Sequence, residues 1–331
     1  MVQISRRRFI VSTAAGAAVT SFTSGAAMSQ EVTLKTVSAW TEGTAFSRAF
    51  ERFVGRVNET GKGVIKLNYL GGGGKILNPF DMGQALRRGV FDVLNTNSAY
   101  YSNLISESNA IKLSRASIQK LRDNGGFDYV NKIMAEKVNA YWLGQAKGYV
   151  PFHVYLGARA AKVDKPDFSK LKLRVTPNYR AFFGALGATL VQSPPSEIYT
   201  ALERGVVDGY GWPIQGIDEL GLVPVTRFRI DPGFFVAPNE VLINLDVWKK
   251  LGDEQKKILN DAAIWTESWL DTYEKDENEK AKKLQVDANI QVITFTGQDG
   301  EFYIKTAYDA AWKEVIESSP QHGQRLRELL S

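Results

Sequence analysis

Arg174 stands in the segment Leu171-Lys172-Leu173-Arg174-Val175, where apolar and cationic residues alternate. In a β-strand that alternation puts the leucines and the valine on one face and Lys172 and Arg174 on the other. A guanidinium presents a planar fork that can hold a carboxylate through two parallel hydrogen bonds. The pattern alone leaves two readings for Arg174, a surface ion pair or an anion clamp.

Other chemistries are sparsely provided for. The chain has no cysteine and only two histidines, His153 and His322. Disulfides, thiolate nucleophiles and thiolate metal sites are excluded, and a three-histidine metal site cannot be built. A Ser-His-Asp triad would have to use one of those two histidines. Four consecutive glycines, Gly71 to Gly74, are followed by Lys75-Ile76-Leu77. They match neither the dinucleotide-binding nor the phosphate-loop spacing, and read as a flexible loop. No nucleophile-elbow motif is present. Neither cofactor nor metal is expected.

The elements that must position such residues announce themselves through a repeat. Ala85-Leu86-Arg87-Arg88-Gly89-Val90-Phe91-Asp92 recurs 116 residues later as Ala201-Leu202-Glu203-Arg204-Gly205-Val206-Val207-Asp208, with six of eight positions identical. Each copy reads as a helix end, a glycine stop and a short apolar strand. Each then enters a polar and aromatic loop, Asn95-Thr96-Asn97-Ser98 in one case and Tyr210-Gly211-Trp212 in the other. The period is too long for a solenoid and predicts two similar α/β lobes. Ligands of open α/β sheets bind beyond the carboxyl ends of the strands. Asn97, Tyr210 and Trp212 should therefore face a cleft, together with Trp40 and Glu42, which follow a first strand over 32–39.

The remaining pattern agrees. Phe46, Ala49, Phe50, Phe53, Val54 and Val57 have helical spacing, and a second strand over 64–70 follows. Asp81 opens the helix of the first repeat, and Ser196 caps that of the second. In the second lobe a strand over 171–175, a helix over 180–186 and a strand over 189–191 precede the repeat. A further strand covers 240–245. Asp253 should cap a helix free of glycine and proline, about 30 residues and about 45 Å long, which could bridge both lobes. A late strand over 291–295 and a final helix over 300–317 complete the chain. We expect residues 30–151 with 238–277 to form one lobe and 152–237 with 278–331 the other.

The 331 residues carry a net charge of +5. Three of those charges, Arg6, Arg7 and Arg8, lie in the first 29 residues, so removing that segment leaves +2. So small a balance gives no footprint for nucleic acid or a membrane surface. Ser5-Arg6-Arg7-Arg8-Phe9-Ile10 resembles the twin-arginine export motif, with a weakly apolar stretch behind it and a small-x-small cleavage site at Ala27-Met28-Ser29. Residues 1–29 are expected to be a signal peptide, too short and polar to span a bilayer. The mature chain should be soluble and periplasmic, a monomer with a dimer as the alternative.

The stretch 171–209 carries the most specific signal. Leu171-Lys172-Leu173-Arg174-Val175, then Leu186-Gly187-Ala188, then Glu197-Ile198-Tyr199-Thr200-Ala201-Leu202-Glu203-Arg204-Gly205-Val206-Val207-Asp208-Gly209 resembles the signature of the solute-binding proteins of TRAP transporters, the DctP-type family. Asn244-Leu245-Asp246-Val247-Trp248 and Gln255-Lys256-Lys257-Ile258-Leu259 are similar to a further family region, and Lys170 departs from the usual glycine. The resemblance covers nearly the whole mature chain. It implies two α/β lobes joined by crossing strands, with a long helix spanning both. It also implies capture of a small organic acid and its delivery to TRAP membrane subunits, with Arg174 as the carboxylate clamp. A ligand sensor of the same fold, or an exported enzyme, is the alternative.

Further positions carry over residue by residue. Asn97 stands where some members place a ligand-contacting Glu, and Trp212 where some place a ligand Asn; both departures argue against a sialic-acid-like ligand. His153 lies where some carry a second ligand-binding Arg, although a structural role suits it equally. Asn78 continues the Gly-rich loop, and Arg159 is either a rim charge or a solvated arginine. Closure is expected about hinges near 148–152 and 236–239.

Overall fold

A computed structural model describes residues 31–148, 150–236 and 238–331. The twin-arginine motif and the cleavage site lie outside the described residues. Two mixed sheets organise the chain, as the two-lobe reading requires. The first has the order β2-β1-β3-β10-β4, with β1 Val32–Ser38, β2 Ile65–Gly72, β3 Val93–Thr96, β4 Ala140–Lys147 and β10 Asn239–Asn244. The second has the order β11-β9-β5-β8-β6-β7, with β5 Phe152–Leu156, β6 Lys172–Val175, β7 Thr189–Gln192, β8 Gly209–Pro213, β9 Phe228–Asp231 and β11 Gln291–Thr294. The helices are α1 Arg48–Thr60, α2 Pro79–Arg87, α3 Ile118–Asp123, α4 Gly126–Val138, α5 Arg180–Ala185, α6 Ile198–Glu203, α7 Leu245–Lys250, α8 Asp253–Asp287, α9 Gly297–Ser318 and α10 Gly323–Leu330.

The two copies of the repeat do the same job. In each, a glycine after the helix takes positive φ, +73° at Gly89 and +69° at Gly205. Each closing aspartate then grips the strand beside it. Asp92 Oδ2 accepts from the Lys35 N–H at 2.7 Å, and Asp208 Oδ2 from the Lys172 N–H at 2.7 Å. The Asp92 and Asp208 N–H groups return bonds to the Lys35 and Lys172 carbonyls. One correction follows. The strands β3 and β8 begin after the aspartates, so Tyr210, Gly211 and Trp212 belong to a strand, and Val90 and Val206 lie in exposed turns.

The lobes are joined by two crossings, from β4 to β5 and from β9 to β10. The crossing segments pair with each other: the Phe152 N–H donates to the Phe235 carbonyl, the Phe234 N–H to the Phe152 carbonyl, and Pro151 bridges Val236. The third link is α8, 35 residues or about 52 Å long. It packs on α1 and β4 of the first lobe, and its Gln285 donates to Tyr155 and the Ile214 carbonyl of the second.

Helix starts differ from expectation in three places. Gly252, not Asp253, caps α8, and the Gln255 side chain accepts from its N–H. Asn78 caps α2 ahead of Pro79, so Asp81 lies inside the helix. A 3-10 turn at Pro195–Glu197 precedes α6, and no side chain caps that helix. The last helix was not foreseen. Pro320 breaks the periodicity, and α10 packs on α4 and the 3-10 segment Ser106–Leu113 of the first lobe. Residues 278–331 therefore do not all belong to the second lobe.

A buried ion pair sits where β4, α8 and both lobes meet. Lys147 Nζ lies 3.2 Å from Glu274 Oε1, and both side chains are almost wholly excluded from solvent. Nζ also donates to the Ala45 carbonyl at 2.9 Å and to Gln215 Oε1 at 2.8 Å, while Gln215 Nε2 donates to Glu274. Burial pulls the Lys147 pKa down, and the opposing pull of Glu274 does not fully restore it.

Candidate functional site

Loops at the strand ends of the two lobes meet through asparagines. Asn178 Nδ2, from the loop after β6, donates to Asn97 Oδ1 at 2.7 Å, and the Ser98 hydroxyl donates to Asn178 Oδ1 at 3.3 Å. Asn97 is in turn fixed by the Ala99 N–H and by donation to the Pro238 carbonyl. Beside this contact lies a small aromatic cavity lined by Trp40, Phe46, Tyr100, Tyr179 and Trp212 among others. It adjoins an open cleft of about 370 Å³ that shares Trp40, Phe46, Tyr100 and Trp212 and reaches Thr41, Asn78, Ser196 and Glu219 at its mouth. The cleft is of a size used for small-molecule sites. The rings pack edge and face on one another: Trp40 lies 4.8 Å from Phe46 and 5.3 Å from Tyr100, and Phe46 meets Trp212 edge-on at 5.6 Å.

Arg174 lies behind this wall and is wholly buried. Its Nε and Nη2 donate to the Ser193 carbonyl, and its Nη1 to the Tyr179 hydroxyl at 2.9 Å. A guanidinium has five N–H donors, so one remains on each of Nη1 and Nη2. No carboxylate pairs with Arg174 among the described residues, although burying a lone charge is costly. Burial raises the pKa of the Tyr100 hydroxyl, and the Arg174 charge opposes that rise, which ties Arg174 electrostatically to the first-lobe wall. Tyr179 accepts from the arginine while its own hydroxyl donates to the Gly211 carbonyl at 2.7 Å, which fixes its position. A Cβ at position 211 would stand 2.5 Å from the Tyr179 ring, so only glycine lets that ring lie against β8.

The expected site residues divide. Trp40, Asn97 and Trp212 line the cavity, and the indole Nε1–H groups of Trp40 and Trp212 are buried without a partner. Asn78 reaches the cleft mouth while capping α2. The structure does not bring His153, Tyr210 or Glu42 to the cavity. His153 Nδ1 sits 2.9 Å from Asp231 and 3.1 Å from the Ile230 carbonyl. Burial disfavours the ionised Asp231, but bonds from His153 and Arg229 outweigh it and hold its pKa at about 2. Tyr210 is buried at the start of β8, stacked 5.2 Å from Tyr155 and bonded to Thr226. Glu42 is exposed, its carboxylate near Gly71. Tyr100, Phe46, Tyr179, Thr176 and Asn178 were missed. The strand-end rule that selected Asn97 would also have selected Thr176 and Asn178, because β6 ends at Val175. Among the described residues, no cluster of His, Asp and Glu could hold a metal ion, and no helix is long and apolar enough to cross a membrane.

Comparison with known proteins fits this architecture. The family model of the bacterial extracellular solute-binding proteins, family 7 (DctP), matches residues 36–319. The monocarboxylate 2-oxoacid-binding periplasmic protein of Nostoc is 26% identical over 304 residues, which is 84% of this chain and 82% of that protein. A TRAP solute-binding protein from Desulfovibrio salexigens with bound orotic acid superposes with a TM-score of 0.78 at 17% identity, covering 90% of this chain and 97% of that one. A TRAP solute-binding protein from Sulfitobacter with bound β-D-galacturonate gives 0.77 at 17% identity, covering 90% and 99%. With two mixed-sheet lobes, paired crossing strands, a bridging helix and a family match over most of its length, the chain belongs to the bacterial extracellular solute-binding proteins, family 7.

Proposed function

We propose that this chain is the periplasmic receptor of a TRAP-type transporter, which closes on a small organic carboxylate and presents it to the membrane subunits. The observation that carries the reading is Arg174, a buried guanidinium with two uncommitted N–H groups and no counter-ion among the described residues. A bound carboxylate supplies the missing charge and accepts the remaining fork. The ligand names of the Nostoc, Desulfovibrio and Sulfitobacter proteins, all acids, support it. Asn97, Trp40 and Trp212 complete the wall, and Asn78 stands at the mouth. His153 and Tyr210 support the second sheet, and Glu42 is a surface residue. The protein acts by binding, not by catalysis, and closes about the paired crossings near 148–152 and 236–239.

A thermal-shift screen across organic acids tests the reading. An acid at a hundred times its Kd should stabilise the fold by about 2.7 kcal/mol, and neutral analogues should not. A screen in which no acid shifts the transition contradicts it. Export by the twin-arginine route rests on Ser5 to Ile10. Replacing Arg6 and Arg7 by Lys should strand the protein in the cytoplasm on fractionation. Undiminished periplasmic yield would remove that assignment.

A further inference from the structure

We infer that the ligand is a flat, aromatic monocarboxylate, a narrowing that rests on the carboxylate reading above. Three properties of the wall point there.

The first is shape and surface. Trp40, Phe46, Tyr100, Tyr179 and Trp212 close on the inner cavity from both lobes, and four of them also line the 370 Å³ cleft. Aromatic walls gain most from a ring laid flat or edge-on against them.

The second is the direction of the unused hydrogen bonds. Several polar groups of the inner wall are committed to one another. Asn97 Oδ1 accepts twice, Asn178 Oδ1 accepts from Ser98, and the Tyr179 hydroxyl both accepts and donates. The Phe46 carbonyl already takes protons from Asn95 and Asn239. Among the donors left free are the indole N–H of Trp40 and of Trp212, and one N–H on each Arg174 Nη. All of these are donors. A carboxylate only accepts, so it matches them. A sugar acid brings several hydroxyl protons that would have to share the few acceptors of the lining, among them the Tyr100 and Thr176 hydroxyls, and each buried unpaired donor is penalised. The hydroxyl and amide groups of Thr41, Asn78 and Ser196 lie on the exposed rim, where water serves a hydroxyl equally well.

The third is charge. Among the described residues no lysine or arginine lines either cavity, and Arg174 is the buried cation behind them. One guanidinium suits one carboxylate. At the mouth stands Glu219, held by Arg48 at 2.9 Å and by the Ala45 N–H, so a second ligand carboxylate would meet a carboxylate there. The Phe46 ring has the room it needs because residue 216 is glycine, with φ +88°, whose missing Cβ would lie 2.9 Å from it.

The test is calorimetric titration of wild type with benzoate, D-glucuronate, succinate and pyruvate at one pH and salt concentration. Benzoate should bind at least tenfold more tightly than each of the other three. Trp212→Leu and Trp40→Leu should each weaken benzoate about tenfold, while Trp212→Phe, which keeps a ring but loses the N–H, should lie between. Glucuronate, succinate or pyruvate binding as tightly as benzoate would overturn the aromatic class and leave the carboxylate reading standing. Benzoate affinity unchanged in both Leu variants would also overturn it. If none of the four acids binds folded wild type at millimolar concentration, both readings fall.

Discussion

Arg174→Ala should raise the dissociation constant of the bound acid by a hundredfold to a few thousandfold. Removing one partner of a buried ion pair costs about 3–5 kcal/mol, and each decade of affinity is about 1.4 kcal/mol. The upper part of that range is expected here, because the guanidinium is wholly buried and no carboxylate among the described residues shares its charge. Arg174→Lys keeps the charge but gives up the planar fork and the bond to Tyr179, so it should also bind poorly. The unliganded fold should weaken as well, by about 1–3 kcal/mol for the partners left behind, because Ser193 and Tyr179 lose their donor. An arginine lying in an open, wet cleft would not show this second effect. Titration calorimetry at a temperature where both variants remain folded separates the two. Affinity within threefold of wild type in both variants, under half a decade, contradicts the clamp.

Breaking the Lys147–Glu274 pair should be the most damaging change away from the cavity. Lys147→Met leaves the Glu274 carboxylate buried without its cation, and Glu274→Leu strands the ammonium. Each should cost about 3–5 kcal/mol, a large share of a typical stability of about 5–15 kcal/mol. The double variant should recover most of that loss, because apolar replacement of a whole buried pair is often neutral. Urea unfolding of the two single variants and the double gives the coupling directly. Single variants within about 1 kcal/mol of wild type would show that water or rearrangement relieves the stranded charge. The pair matters beyond stability because of its neighbours. Ala45 of the first lobe and Gln215 of the second both bond to it. It thus ties the bridging helix to each side of the cleft.

The two-lobe plan was legible because it is written twice. The octapeptide ends in an aspartate each time, and each aspartate anchors the adjacent strand by the same pair of bonds, one accepted by its carboxylate and one donated by its N–H. Local spacing carries that information. The long α8 was legible for a similar reason, since an uninterrupted run without glycine or proline has few other uses. The burial of Arg174 was not legible. Alternation marks a polar face, but whether that face meets water depends on Tyr179, which is five residues away and held by Gly211 from another strand. The placement of His153 failed for the same reason. Its partner Asp231 lies 78 positions on, and nothing in the spacing joins them. The helix α10 escaped because its docking on α4 is a tertiary choice. Strand ends could be inferred from sequence, whereas the direction of side chains at those ends required the packed neighbours.

The most direct test of the account is a crystal structure of the protein with the acid that the screen selects. The carboxylate should lie on Arg174, accepting from Nη1 and Nη2 at about 2.7–2.9 Å, with its body between Trp40 and Trp212. An acid bound in the cleft with its carboxylate away from Arg174, or bound outside the two lobes, would contradict it.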